Sequence, residues 1–187
     1  RDSGNLTMDS LGTSAKGKVI WGVRSLGGQD KLRVLFFGGL HGNEPAGTEA
    51  LLAFLQQLTQ QGILSSYLRD VELLVIPMAN PDGYDKQDRY AANGLDLNRD
   101  QTKLMAQESV SLKQAFTNFN PEVGLDFHEY RPYRKDFAQF SDFGITSLYD
   151  AMFLYTGNLN VPKNLRILTD TLFVENARQT LDKNGLK

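Results

Sequence analysis

The 187-residue sequence predicts an α/β protein, a three-layer α/β/α domain with a mixed, largely parallel sheet. Continuous apolar runs at 32–39 (LRVLFFGG) and 71–76 (VELLVI) are typical of strands that are buried on both faces. Between them, the stretch that begins at Pro45 has apolar residues at helical spacing, with proline in the first helical turn and Gly62 as a stop. Strands that alternate with helices in this way favour a sheet covered by helices on both faces.

The other elements continue the alternation, and segment 130–155 is interpreted mostly as loop. In chain order, we predict an early edge strand at 17–25, a turn at 80–83, a polar loop from 85 to about 101, a helix at 104–119, a third buried strand at 122–130 that ends near His128, and a terminal amphipathic helix at 165–186. A single domain over residues 1–187 is expected for a chain of this length.

The composition excludes several classes of function. With 20 basic and 22 acidic residues the net charge is −2, so no basic surface for nucleic acid or an anionic membrane is expected. The chain has no cysteine, which leaves only nitrogen and oxygen ligands for a metal. The apolar runs are far too short to span a bilayer. Oligomeric state and compartment stay open, with a secreted or periplasmic location favoured.

Both histidines of the chain, His41 and His128, directly follow predicted buried strands. In α/β sheets, function concentrates at the carboxyl ends of the strands. Glu44 lies three residues after His41, in the turn before the helix, so these two side chains can point to one place. With His128 they make two imidazoles and a carboxylate, the ligand set of many catalytic zinc sites. Alternatively, Glu44 is only a helix-capping carboxylate.

Four stretches besides the one that holds His41 and Glu44 favour the metal site over the helix cap. The segments LGTSAKGKVIWGV (11–23), HGNEPAG (41–47), NPDGY (80–84), RYAANGLDLNRD (89–100) and DFHEY (126–130) occur in this order. The series resembles the zinc carboxypeptidase family, and more distantly the deacylases of N-acyl amino acids of the aspartoacylase and succinylglutamate desuccinylase type. The resemblance covers residues 11 to about 130 and implies the zinc carboxypeptidase fold, cut short at its C-terminal end.

The resemblance implies a role for each matching position. The implied roles are one zinc ion bound by His41, Glu44 and His128, a carboxylate at Asp96 that orients the first histidine, a clamp for the substrate's terminal carboxylate at Asn98 and Arg99, and an oxyanion-stabilising arginine at Arg89. The chemistry of the clamp fits its ligand, because a guanidinium presents two parallel donors to a carboxylate.

The implied activity is zinc-dependent removal of the C-terminal residue of a peptide. The family's general base, a glutamate on a later strand, has no match here. Glu175 lies in a helical pattern, and Glu129, next to a ligand on a predicted strand, points to the opposite face unless the strand has already ended. We therefore expect a chain that binds zinc and a carboxylate with little or no turnover. A deacylase with the same zinc ligands and a non-catalytic peptide-binding module are the alternatives.

Overall fold

The computed structural model describes residues 6–60, 66–130 and 149–186. These belong to two units, Arg1–Glu129 and Tyr130–Lys187. The elements of the first unit are β1 (Leu6–Thr13), β2 (Val19–Ser25), β3 (Leu32–Gly38), α1 (Pro45–Leu58), a 3₁₀ turn (Tyr67–Arg69), β4 (Val71–Ile76), α2 (Pro81–Lys86), α3 (Gln107–Phe119) and β5 (Val123–Phe127). The five strands form one sheet in the order β1-β2-β4-β3-β5.

The sheet is mixed and largely parallel, as predicted. Strand β3 runs parallel to both β4 and β5, while β2 pairs antiparallel with both β1 and β4 and so runs opposite to the other four strands described. The prediction that 17–25 is an edge strand was wrong, because β1 pairs with β2 from Leu6↔Ser25 to Thr13↔Val19 and takes the edge position itself. The polar, weakly patterned sequence of β1 hides this strand, since both of its faces are mostly exposed.

Helices pack on both faces of the sheet, which confirms the three-layer architecture. On one face, side chains of β3 and β4 pack against α3 in a cluster that includes Leu35, Leu74, Ile76, Leu112, Ala115 and Phe119. On the other face, the intervening residues pack against α1 in a cluster that includes Val34, Leu51, Leu58, Leu73 and Val75. Because successive strand residues point to opposite faces, a continuous apolar run supplies both clusters.

Two local predictions were wrong. Residues 80–83 do not form a simple turn but begin the short helix α2, where the side chain of Asn80 accepts a hydrogen bond from the N–H of Gly83 at 2.9 Å. Strand β5 is largely exposed instead of buried, because β3 is its only neighbour in the described part of the sheet. Helix α1 begins at Pro45 as predicted; it ends at Leu58, and Gly62 lies outside the described residues.

The second unit contains the predicted terminal helix. It consists of α4 (Lys163–Leu168), a π-helical stretch (Thr169–Val174) and α5 (Glu175–Lys183). Residues 149–155 form neither helix nor strand, as expected for that part of the predicted loop, while 131–148 lie outside the described residues. Across the described ranges, no helix combines the length and apolarity needed to cross a membrane.

A buried carboxylate anchors the long loop between α2 and α3. Asp100 is 4% exposed, and its two oxygens accept hydrogen bonds from the N–H groups of Met105 at 3.1 Å and Ala106 at 2.8 Å. Burial opposes its ionisation, but these donors outweigh burial and lower the pKa of Asp100. The loop that carries Asn98 and Arg99 is thereby tied to the start of α3.

We expect the substitution Asp100→Asn to destabilise the protein by about 1–3 kcal/mol near neutral pH, because the amide turns a donor toward one of the two backbone N–H groups. The folded-state pKa of Asp100 lies below its ordinary value, so its contribution is present above roughly pH 4 and is lost as the pH falls further. Urea denaturation at pH 7 and near pH 3 measures both effects. The exposed Asp30→Asn is the control, and equal stability of wild type and Asp100→Asn at pH 7 contradicts the expectation.

Candidate metal centre

The chain turns sharply after β3 to place His41 at the carboxyl end of the sheet. Gly39 has φ +67°, a conformation that glycine adopts without strain. At Gly42 the turn comes close to α2, because an added Cβ there would lie 1.9 Å from the carbonyl carbon of Gly83. The turn therefore packs directly on the backbone of α2, and the His41 side chain is only 2% exposed.

The three predicted ligands come together. Glu44 lies between the two imidazoles, with Oε1 at 3.0 Å from Nδ1 of His41 and Oε2 at 2.8 Å from Nδ1 of His128. One donor atom from each of the three side chains lies within 4.8 Å of the others, and the rings of His41 and His128 have centroids 4.8 Å apart. Parallel strands β3 and β5 are neighbours, so their carboxyl ends deliver the two histidines to the same edge.

A carboxylate holds the far side of each imidazole. Nε2 of His41 lies 3.1 Å from Oδ1 of Asp96, and Nε2 of His128 lies 2.9 Å from Oδ2 of Asp126. An ionised carboxylate can only accept a hydrogen bond, so each contact places a proton on Nε2 and leaves Nδ1 as the nitrogen that can bind a metal once its own proton is lost. Both Nδ1 atoms face Glu44. The set of donors thus fits a divalent metal that takes nitrogen and oxygen ligands.

The charges of the site are strongly coupled. Burial opposes ionisation of Glu44, but hydrogen bonds from His128, His41 and the N–H of Glu129 outweigh it and hold the pKa of Glu44 far below its ordinary value. Hydrogen bonds to Asp126 and Glu44 raise the pKa of His128 to about 9. A metal that binds Nδ1 of His128 would therefore compete with a proton for that nitrogen.

Arg89, for which the resemblance implies an oxyanion-stabilising role, lies beside the cluster. Its Nε and Nη2 are 3.1 and 3.0 Å from Oδ2 of Asp96, and its Nη1 is 3.5 Å from Oε1 of Glu44. Asp96 also accepts a hydrogen bond from the N–H of Asn98 at 3.0 Å. Burial opposes ionisation of Asp96, but His41 and Arg89 outweigh it and lower its pKa.

Asn98 and Arg99 lie on the same loop as Asp96. The N–H of Arg99 donates to the carbonyl of Asp96 at 2.9 Å, and the Arg99 side chain is exposed. Within the described residues, no hydrogen bond or ion pair is recorded for the Arg99 guanidinium or the Asn98 side-chain amide. These donors are thus available to a ligand, although no contact links them to His41, Glu44 or His128.

Sequence reasoning missed one acidic residue of this centre, Asp126, and set aside another, Glu129, on the assumption that the strand continues to it. Asp126 orients His128 as Asp96 orients His41, and the D-x-H spacing could have indicated it, because it puts a carboxylate two residues from a histidine that is a candidate metal ligand. Glu129 donates its N–H to Oε2 of Glu44 at 3.2 Å. Alternation along a strand does not apply to Glu129, because β5 ends at Phe127.

Comparison with known proteins shows the family to which the chain belongs. The sequence pattern of a family described as zinc carboxypeptidase matches residues 1–152. The chain belongs to the zinc carboxypeptidase family. Carboxypeptidase 2 of Trichophyton tonsurans is 37% identical to this family member over 158 residues, which cover 84% of the chain and 29% of that protein. Carboxypeptidase D of Mus musculus is 28% identical over 147 residues, 65% of the chain and 10% of that protein.

Solved structures show the zinc carboxypeptidase fold. A metallo-carboxypeptidase from Burkholderia cenocepacia has a TM-score of 0.64 and 19% identity, over 71% of this chain and 39% of that one. Carboxypeptidase A from Helicoverpa armigera has a TM-score of 0.61 and 21% identity, over 68% of this chain and 42% of that one. The chain spans about 30% of the length of the fungal carboxypeptidase relatives that it matches.

Proposed function

We propose that this chain carries the metal centre of a zinc-dependent carboxypeptidase that hydrolyses the C-terminal peptide bond of peptides. The observation that carries the proposal is the convergence of His41, Glu44 and His128, with both Nδ1 atoms directed at the Glu44 carboxylate. We propose that these three residues bind one zinc ion. When bound, zinc supplies Lewis-acid catalysis, which activates water and polarises a carbonyl group.

The other residues have roles that follow from their contacts. Asp96 and Asp126 would hold the imidazoles of His41 and His128 in the tautomer that leaves Nδ1 unprotonated. Arg89 would stabilise negative charge on the scissile carbonyl oxygen, since two of its nitrogens are held by Asp96 and its Nη1 edge lies next to Glu44.

Substrate selection would rest on Asn98 and Arg99. A guanidinium binds a carboxylate through two parallel hydrogen bonds, and the Arg99 side chain is exposed. The proposed substrate is therefore a peptide with a free terminal carboxylate. An N-acyl amino acid also carries such a carboxylate, so deacylation on the same residues is the alternative reaction. A secreted or periplasmic location stays a prediction.

The sequence holds no glutamate that matches the family's general base. We therefore propose that the isolated 187-residue chain binds zinc and a terminal carboxylate but turns substrate over slowly or not at all. In that case the isolated chain behaves as a peptide-binding module.

The test is calorimetric titration of zinc into the metal-free chain, followed by titration of a dipeptide into the zinc-loaded chain. We expect Arg99→Ala to weaken dipeptide binding by about tenfold or more, because a charge-assisted pair is lost, while zinc affinity stays unchanged. Arg69→Ala, which also removes an arginine of this unit, is the control.

Hydrolysis assays with the dipeptide and with an N-acyl amino acid run in parallel. Binding without turnover supports the isolated chain as a binding module, and cleavage of only the N-acyl amino acid supports the deacylase. Robust zinc-dependent hydrolysis of the peptide contradicts the proposal that the chain lacks its base. If the chain binds no zinc, the carboxypeptidase, the deacylase and the zinc-dependent binding module are all contradicted.

A further inference from the structure

The end of β5 and the first turn of α1 meet in a close junction. At Gly47, an added Cβ would lie 2.8 Å from the carbonyl oxygen of Phe127, the last residue of β5. A side chain at position 47 would therefore push the helix away from the strand. The junction joins two segments of the proposed zinc site, because Glu44 immediately precedes α1 and His128 immediately follows β5.

Helix α1 has no cap from its own sequence. The residue at the cap position, Glu44, makes no side-chain capping hydrogen bond, and the first turn contains no acidic residue. The first N–H groups of a helix need acceptors, and the positive end of the helix dipole favours a carboxylate there. Glu129 meets this need from 83 residues away: its Oε2 accepts the N–H of Ala46 at 3.3 Å.

The backbone of Glu129 makes a second contact with the same turn. Its N–H donates to Oε2 of Glu44, the oxygen that also lies 2.8 Å from Nδ1 of His128. One residue thus holds the carboxylate of Glu44 through its N–H and the helix that follows Glu44 through its side chain. The residue before it, His128, cannot shift relative to Glu44 without breaking one of these contacts.

We propose that Glu129 is a positioning residue, which caps α1 from the end of β5 and so fixes the distance between His128 and Glu44. The proposal rests on the proposed zinc site. Glu129 is not proposed as the missing base, because one of its oxygens is engaged by the helix. Nor, among the described residues, does it join the group of three side chains that can hold a metal.

Reach and charge can be separated by two substitutions. Glu129→Asp keeps the charge but is one methylene shorter, so it does not reach the N–H of Ala46. Glu129→Gln loses the charge but keeps an oxygen of the same reach. Co²⁺ is titrated into each metal-free full-length chain, and its visible absorption spectrum and affinity are recorded. Hydrogen exchange at the amide of Ala46 is measured on the same metal-free chains. Glu49→Asp, in the exposed part of the first turns of α1, is the control.

We expect Glu129→Asp to bind Co²⁺ about tenfold more weakly, with an altered spectrum and faster exchange at Ala46, the effect typical of residues that orient metal ligands. Glu129→Gln is expected to stay within about threefold of wild type, with the wild-type spectrum. The opposite order of the two variants, or wild-type behaviour of Glu129→Asp, overturns the proposal. If wild type itself binds no Co²⁺, the proposed metal site fails, and the Ala46 exchange rates decide on the Glu129 contact separately.

Discussion

Replacing Glu44 with glutamine is expected to lower the affinity for zinc more than about 100-fold, beyond the range seen when a residue that merely supports a ligand is lost. Glutamine has the same size but no charge, and its amide cannot serve both imidazoles. The Glu44 carboxylate faces Nδ1 of His41 and of His128 and the N–H of Glu129. Losing the charge at this point removes the one anionic ligand of the set.

The measurement is calorimetric titration of zinc into metal-free Glu44→Gln and wild type at pH 7.5 or above. Glu49→Gln is the matched control, because Glu49 is exposed on the same helix and contacts neither histidine. Thermal melting of the metal-free proteins shows whether the substitution disturbs the fold. Zinc affinity of Glu44→Gln within threefold of wild type would exclude Glu44 as a ligand.

Replacing Gly42 with alanine is expected to cost about 3 kcal/mol or more, at the upper end of the range for overpacking. The added methyl group would lie 1.9 Å from the carbonyl carbon and 2.3 Å from the carbonyl oxygen of Gly83. Both are backbone atoms of α2, so no side chain can rotate away. Either α2 or the turn after β3 must shift, and His41 moves with that turn. We therefore expect weaker zinc binding together with the loss of stability.

Urea denaturation gives the free energy of unfolding, and a zinc titration of the folded variant gives the affinity. Gly124→Ala is the control, because an added Cβ at Gly124, in exposed strand β5, meets no atom within 4 Å. A Gly42→Ala protein that is as stable as Gly124→Ala would show that the turn and α2 do not pack as closely as described.

Several strands, one helix and part of the candidate metal site could be predicted from the sequence, each for a physical reason. Continuous apolar runs predicted β3 and β4, and helical spacing after a proline predicted α1. Histidines directly after two such strands indicated a metal centre, because parallel strands end at one edge of the sheet. The resemblance to zinc carboxypeptidases added Asp96 and Arg89, and both lie at the cluster.

Tertiary structure decided what depends on contacts between distant segments. The edge position of β1, the exposure of β5 and the burial of Gly42 against Gly83 result from packing partners that no local pattern identifies. The same holds for the role of Glu129. Glu129 is an ordinary charged residue in the sequence, and its contact with the first turn of α1 exists only after β3 and β5 pair.

The sequence by itself therefore determined the types of the candidate ligands and the strands that carry them, because periodicity and residue chemistry are local properties. The tertiary structure alone decided how these side chains are oriented and held. Hydrogen bonds between groups up to 85 residues apart depend on the register of the sheet and the approach of α1 to β5, and both are properties of the folded chain as a whole.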